Sequence, residues 1–455
     1  MRAGRVCDTV VGVVLLTVAS AAQAPSPLRP IPFSDTRLAN GLRVIISEDH
    51  FAPVYAIAVS YSVGSKDERP GRTGFAHLFE HMMYKGSDNI GPGEHFFLVF
   101  NNGGSMNGTT NTDRTLYFEV MPRNQLDLGL FLESDRMRSL AITKENLDNQ
   151  RQAVQEERRL RLDNQPYGKS AERFNQLAYD NPAYHHSVIG SMEDLNAATV
   201  DDVASFFRTY YAPNNAVVAI VGDVDTKDTL ARVEKYFGNI PRQPSPVAVD
   251  LSEPELKAER RETMQDRLAR LPQINMGYKI PPATHADWPA LSALGQILGS
   301  GESSRLYQRL VKTQELCANV GAGSAQRMGP ALFTITCAVR PGKNIADAEA
   351  AITEEVSRLQ ASPVTPEELQ RVRSSARRGA VAIRESTLTR AQSLADNAAL
   401  YNDPNRINTV NERIAAATAA DVQRVAARYL QSTNRVVIHT LPAGAPAAPP
   451  PGSAK

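Results

Sequence analysis

The sequence predicts an α+β protein of two homologous domains, each a mainly antiparallel sheet with helices packed on one face. Three observations lead there. The chain has 455 residues, too many for one ordinary core and suited to two domains of about 200 residues each. Strand-like and helix-like stretches come in mixed order, with a strand pair first, unlike the regular alternation of a doubly wound parallel sheet. Two stretches also repeat at an offset of 219, "AATVDDVASFFRTYYAPNNAVVAI" from Ala197 and "AATAADVQRVAARYLQSTNRVVIH" from Ala416. They share Ala-Ala-Thr, Asp202/Asp421, Val203/Val422, Tyr210/Tyr429 and Asn215/Asn434. Each reads as a threonine cap, a helix, a turn and a strand, and a repeat of this length implies two copies of one fold.

The chain opens on "MRAGRVCDTVVGVVLLTVASAAQAPSP". Arg2 and Arg5 precede an apolar run from Thr9 to Ala19, and small residues follow as far as Ala24. This is the layout of a secretory signal peptide, expected over 1–24, and it predicts export to the periplasm. A membrane anchor is the alternative, but the run is short for the roughly 20 residues of a span. No later run is long and apolar enough to replace it.

The first domain is expected over 30–240. "GLRVIISED" and "VYAIAVSYSVG" read as its opening strands, rich in Val, Ile and Tyr. Within residues 74–87, "GFAHLFEHMMYKGS", Gly74 precedes a helix and Gly86 follows it as its C′ residue, and "TLYFEVMP" and "NAVVAIVGDV" read as further strands. Helical periodicity covers 126–140, 144–162 and 200–211. Four prolines and many charges mark 241–262 as a linker. The second domain follows over 263–442, and the Pro/Ala tail 443–455 cannot bury a core and is expected to be disordered.

Composition is that of a soluble globular protein, 42% hydrophobic and 22% charged, with a net charge of +1. That excludes a global field directed at nucleic acid or acidic partners. With the leader removed, only Cys317 and Cys337 remain, too few for a disulfide scaffold or a thiolate zinc site. "LCANVGAGSAQRMGPALFTITCAVRPG" reads as a hairpin with strands near 316–323 and 331–339. A register that sets Cys317 directly opposite Cys337 would permit a bridge in an oxidising compartment. Two small buried apolar residues are the alternative.

The chemistry concentrates in 74–87. His77 and His81 are four residues apart and share a helix face. Glu80 lies beside that face. Two imidazoles one turn apart can grip one zinc ion with a carboxylate at hand, and H-x-x-E-H is the inverted order of the H-E-x-x-H arrangement. The bare pattern arises by chance about once or twice in a hundred chains of this composition, so two surface histidines with an acid partner stay in play at this point. A catalytic zinc needs a third protein ligand. The helix "KENLDNQRQAVQEERRLRLDN" has an inward stripe of Leu147, Gln150 and Val154, and three residues further lies Glu157. Glu156 points about 100° away. A carboxylate on the inward stripe needs a partner. The histidine pair has no counterpart in the second copy, where "GSGESSRLYQRL" reads as the equivalent segment.

With these residues the chain resembles the pitrilysin/insulinase inverzincin metallopeptidases, and in particular the bacterial two-domain branch similar to mitochondrial processing peptidase. The likeness covers nearly the whole mature chain and includes "NQRQAVQEERRLRLDNQPYG", "IGSMEDLNAATVDDV" and "YYAPNNAVVAIVGDVD". It implies one Zn2+ per chain on His77, His81 and Glu157, with Glu80 as the general base that takes the attacking water's proton and passes it to the leaving amine. It also implies that "NGTTNTDRTLYFEV" is an edge strand to which extended peptide adds, with Asn107 and Gly108 facing substrate. An ordinary hairpin with Asn-Gly turn chemistry is the alternative reading of that stretch. Where some members carry a second glutamate, this chain has Gln150.

One departure from the family concerns partners. The family's second domain often supplies an arginine and, seven residues later, a tyrosine that hold substrate. Aligned through Leu310, Leu316 and Val320, "LVKTQELCANV" has Val311 and Ala318 at those positions. The reading is therefore an exported zinc endopeptidase or oligopeptidase acting on peptides or unfolded segments. It would be the zinc-bearing subunit of a heterodimer whose homologous partner lacks the histidines but carries the Arg/Tyr pair. A homodimer in which Arg305 or Arg309 substitutes is one alternative. A non-catalytic scaffold or a peptide-binding subunit without turnover is another.

Overall fold

The computed structural model describes residues 28–444. The expected signal peptide, and the expected tail beyond 444, lie outside the described residues. The first sheet has strands β1 (Ser34–Arg37), β2 (Arg43–Glu48), β3 (Val54–Tyr61), β4 (Ser105–Thr110), β5 (Thr115–Pro122) and β6 (Ala216–Gly222), in the order β1-β2-β6-β3-β5-β4. The second has β7 (Arg260–Asp266), β8 (Gln273–Ile280), β9 (Cys317–Ser324), β10 (Ala331–Val339) and β11 (Arg435–Pro442), in the order β7-β11-β8-β10-β9. Pairing is antiparallel except between β2 and β6 and between β7 and β11. The fold is α+β in two related halves, each built on a mainly antiparallel sheet. Among the described residues no helix is long and apolar enough to cross a membrane.

The repeat is visible in local contacts. β3 and β8 correspond residue for residue at an offset of 219, as do the helices Val200–Tyr210 and Ala419–Tyr429. Each helix begins with a reciprocal cap, Thr199 with Asp202 and Thr418 with Asp421. Past each helix an asparagine amide donates to a tyrosine carbonyl at 2.8 Å, Asn215 to Tyr210 and Asn434 to Tyr429. These bonds turn the chain into the strand that follows.

β3 shows how the halves join. Its sequence VYAIAVSY is buried throughout except at Val54, as a strand covered on both faces must be. Tyr55, Ile57, Val59 and Tyr61 enter the core of their own half. The small residues Ala56 and Ala58 face the other way, where the helix Thr387–Tyr401 of the second half lies on them with Ala391, Leu394 and Ala395. The helix at the same place in the first copy, Gly168–Ala178, makes the reciprocal contact. Its Phe174 and Ala178 cover Leu332 of β10 and Val436 and Ile438 of β11. Each sheet thus has helices of its own half on one face and a helix of the other half on the second.

Residues 241–259 form no helix or strand. They are nonetheless held down, since Leu251 and Leu256 join the Phe174 cluster. Glu253 accepts from Lys279 Nζ at 2.6 Å and from the backbone of Asp180 and Asn181.

Two local expectations are corrected. The helix Trp288–Gly299, which packs on β9 as the histidine helix packs on β4, stands in the second copy where 299–310 was expected. In the hairpin Cys337 pairs with Val320, and a bulge after Ala338 then sets Val339 opposite Cys317. The cysteines are therefore diagonal neighbours rather than directly opposite. Residues two apart on a strand share a face, and this one brings the Cα atoms to 6.0 Å with a disulfide between them.

Candidate active site

The helix Phe75–Met82 starts after Gly74, whose φ of 86° places it in the left-handed region. A Cβ there would lie 2.5 Å from the Ile189 carbonyl, so only glycine lets the segment 187–190 close over the start of the helix. Phe75, Leu78, Phe79 and Met82 are buried in the core. That turns His77 and His81 toward the neighbouring helix Lys144–Arg158, which buries Leu147, Gln150 and Val154. Continuation of the same stripe delivers Glu157. Its Oε2 lies 3.6 Å from His77 Nε2 and 3.2 Å from His81 Nε2. Glu156 points to solvent and pairs with Arg159 at 2.9 Å.

The surroundings of this trio are specific. Gln150, buried on the same stripe as Leu147 and Val154, lies beside the His81 ring. Arg161, on the π-helical turn Arg159–Asp163, holds the other oxygen of Glu157 at 2.8 Å. Burial pushes the His77 imidazole down to about 4, helped by the neighbouring His81. Burial also lowers His81, against the pull of Glu157. Both rings are therefore neutral at pH 7 and offer lone pairs. Two neutral imidazole nitrogens and a carboxylate oxygen, all within 4.8 Å of one another, form a donor set that fits a tetrahedral zinc ion with one open position.

Glu80 sits beside the trio. Burial raises its pKa, and Thr110 Oγ1, at the end of β4, donates to its Oε2 at 2.6 Å. β4 is the edge strand of its sheet, with β5 on one side only. Gly108 faces inward. A Cβ there would be 3.1 Å from Glu80 Cγ and 3.1 Å from the Tyr84 hydroxyl. Asn107 points to the opposite face and is exposed, its Oδ1 accepting from the Gly108 amide. The geometry brings together His77, His81, Glu157, Glu80 and Gly108, and leaves Asn107 on the far face of the strand.

Behind Tyr84 lies a second group of ligand type, His95, Glu119 and Glu133, wholly buried. Glu133 takes the Arg136 guanidinium, which stacks on Tyr84 at 5.1 Å and Tyr117 at 4.5 Å. This is a charged floor under the site. Sequence reading missed it, along with Thr110. The run "FLESDRMR" carries its signal, since charges spaced through an otherwise apolar helix are buried only when paired.

Arg305 and Arg309 are not available to substrate. Arg305 grips Glu368 through two bonds of 2.7 and 2.8 Å, and Arg309 is held by Glu354 and Glu355. Val311 is buried and aliphatic, and Ala318 offers no donor. A cavity of about 410 Å3 lies against the trio instead, lined by His77, Thr110, Glu157, Arg161 and His186 and, from the second half, Arg327.

The family model described as insulinase (peptidase family M16) matches residues 43–189, and that described as peptidase M16 inactive domain matches 197–376. The zinc protease PqqE of Helicobacter pylori is 30% identical over 434 residues, covering 94% of this chain and 97% of that protein. An uncharacterized zinc protease of Streptomyces coelicolor is 25% identical over 398 residues, 86% of each chain. The crystal structure of a protease from Helicobacter pylori superposes with a TM-score of 0.87 at 29% identity, covering 91% of this chain and all of that one. The first half of the periplasmic protease PqqL from Escherichia coli matches in fold, with a TM-score of 0.75 at 20% identity over 91% of this chain and 93% of that one.

Proposed function

The chain belongs to the insulinase (M16) peptidase family, and on that premise we propose that it is a zinc-dependent endopeptidase or oligopeptidase of peptides or unfolded segments. One observation carries the reading. A single carboxylate oxygen of Glu157 faces the Nε2 atoms of His77 and His81 at 3.6 and 3.2 Å, with Glu80 alongside. His77, His81 and Glu157 would hold one zinc ion. Bound there, zinc supplies Lewis acidity toward the scissile carbonyl and acidifies the attacking water. Glu80 takes the proton from that water and delivers it to the leaving amine, a transfer worth roughly 10²–10⁴-fold. Thr110 fixes the Glu80 carboxylate, and Arg161 fixes that of Glu157. Extended peptide adds to the free edge of β4, and Gly108 keeps the strand close to Glu80. Such addition uses backbone hydrogen bonds and reads little sequence.

The protein acts, in this reading, after export to the periplasm, as the zinc-bearing member of a heterodimer. Val311 and Ala318 supply no oxyanion donor, and the donors of Arg305 and Arg309 are taken by acids of their own half. A homologous subunit would supply the Arg/Tyr pair. The test is zinc stoichiometry of the purified chain, with hydrolysis of a quenched peptide library alone and with the product of a neighbouring homologous gene. One zinc per chain, weak cleavage alone and strong cleavage together are expected. Full activity alone removes the heterodimer but leaves the peptidase. Zinc binding without cleavage in either state removes the peptidase.

A further inference from the structure

The cavity beside the trio is lined by an arginine with no acid paired to it among the described residues. Arg327 lies on the loop between β9 and β10 of the second half. Its guanidinium carbon lies over two tyrosines of the first half, 4.9 Å from the Tyr184 ring centre and 5.3 Å from that of Tyr179. Its Nη1 is buried without a hydrogen-bond partner, and among the described residues the guanidinium has no acid against it. The acids nearby are all occupied. Glu157 is held by Arg161 and faces the histidines. Glu172 is held by Arg158 through two bonds of 2.8 and 2.9 Å. Asp113 takes the Tyr184 hydroxyl at 3.1 Å and the Met328 amide at 3.0 Å.

A guanidinium held over aromatic rings with an unpartnered Nη1 still has N–H groups to donate, and a planar guanidinium matches a carboxylate in two parallel bonds. The two rings fix the side chain in place, so little conformational entropy is lost when an anion arrives. The same residue also lines the adjoining cavity of about 280 Å3, beside Phe174, Asn175 and Thr336. It therefore sits where a chain entering along the trio would continue between the halves.

We propose that Arg327 is a specificity residue that binds a carboxylate of the substrate peptide, either an acidic side chain or the C-terminal carboxylate, a few residues from the bond presented to Glu80. This rests on the peptidase reading for the position of the scissile bond. The carboxylate site itself rests only on the cavity and the unpaired guanidinium.

The experiment is fluorescence anisotropy on the zinc-loaded full chain carrying Glu80→Gln. The probes are labelled Ala/Ser decapeptides with one Glu or one Gln stepped through the sequence, each made with a free or an amidated C-terminus. An acidic-side-chain site appears as a preference for Glu over Gln at one position. A terminal site appears as a preference for the free over the amidated end. The expected preference is about 10- to 100-fold, the range for hydrogen bonds to a charged group. Arg327→Met should abolish it while leaving the Gln-amide peptides bound as before, and Arg327→Lys should restore part. Circular dichroism checks that both variants fold. No carboxylate preference, a preference that survives Arg327→Met, or no peptide binding at all overturns the proposal. Zinc content and hydrolysis by the Glu80 chain are read separately. A chain that binds carboxylate through Arg327 but neither takes up zinc nor cleaves refutes the peptidase reading alone. One that cleaves without carboxylate preference refutes the carboxylate site alone.

Discussion

Thr110 holds Glu80. The hydroxyl at the end of the edge strand donates to the carboxylate on the histidine helix at 2.6 Å, across 30 residues of sequence. The strand that would receive substrate and the base that would act on it are thereby fixed to one another. Thr110→Val should leave zinc binding and KM nearly unchanged and lower kcat by about 10-fold, the lower end for a hydrogen bond to a charged group. Thr110→Ser should recover most of it. Glu80→Gln should keep zinc near one per chain and abolish hydrolysis. Steady-state kinetics beside metal analysis decides. A Glu80→Gln protein that cleaves at the wild-type rate would sink the assignment of the base.

The trio was legible because its signals are local. His77 and His81 follow helical spacing, and Glu157 follows the inward stripe of Leu147, Gln150 and Val154. What the sequence hid was long-range. Thr110 meets Glu80 only because β4 pairs with β5 at the sheet edge. Arg327 reaches the same cavity from the other half of the chain. The hairpin register escaped because one bulge after Ala338 shifts the pairing, and no residue pattern announces it. In β3 the Val, Ile and Tyr content announced a strand, in a sheet expected to carry helices on one face. It did not say that the cover for Ala56 and Ala58 comes from 387–401.

The charged floor makes stability respond to pH in a defined direction. Burial pushes Glu119 up to about 7, only partly offset by Arg136, and neither of its oxygens has a hydrogen bond. The folded state therefore holds this proton more tightly than the unfolded state. Its contribution is complete below the ordinary carboxylate range near 4.5 and is lost as pH rises through 7. His95 is pushed down to about 3 by burial and then Arg136, so its contribution rises with pH below about 6.5 and masks the fall in the wild type. Glu119→Gln isolates the carboxyl. Between pH 5 and pH 8 the variant should gain roughly 3 kcal/mol on the wild type. Urea unfolding at four pH values measures this, and a difference that does not vary with pH would refute it.

The disulfide closes a separation of 20 residues and ties the edge strand β9 to β10. A loop of that size corresponds to about 3 kcal/mol in the chain-entropy account. Replacing both cysteines by alanine should lower unfolding free energy by about that amount in oxidised samples, and reductant should take the wild type to the same value. Iodoacetamide labelling of Cys317 and Cys337 in unreduced protein would show that the bond does not form.

The exchange of helices predicts that damage in one half appears in the other. Leu394 is fully buried, on a helix of the second half, against the first sheet. Leu394→Ala should cost about 2–5 kcal/mol and speed amide hydrogen exchange in β3 and β6, more than 170 residues away in sequence. Phe174→Ala, in the reciprocal helix, should do the same to β10 and β11. The physical reason is that Ala56, Ala58 and Ala219 are too small to cover their own strand backbones, so protection on that face depends on the helix lying over them. Exchange that quickens only in the half carrying the substitution would mean that each sheet is held by its own helices alone, and that the crossed helices are bystanders.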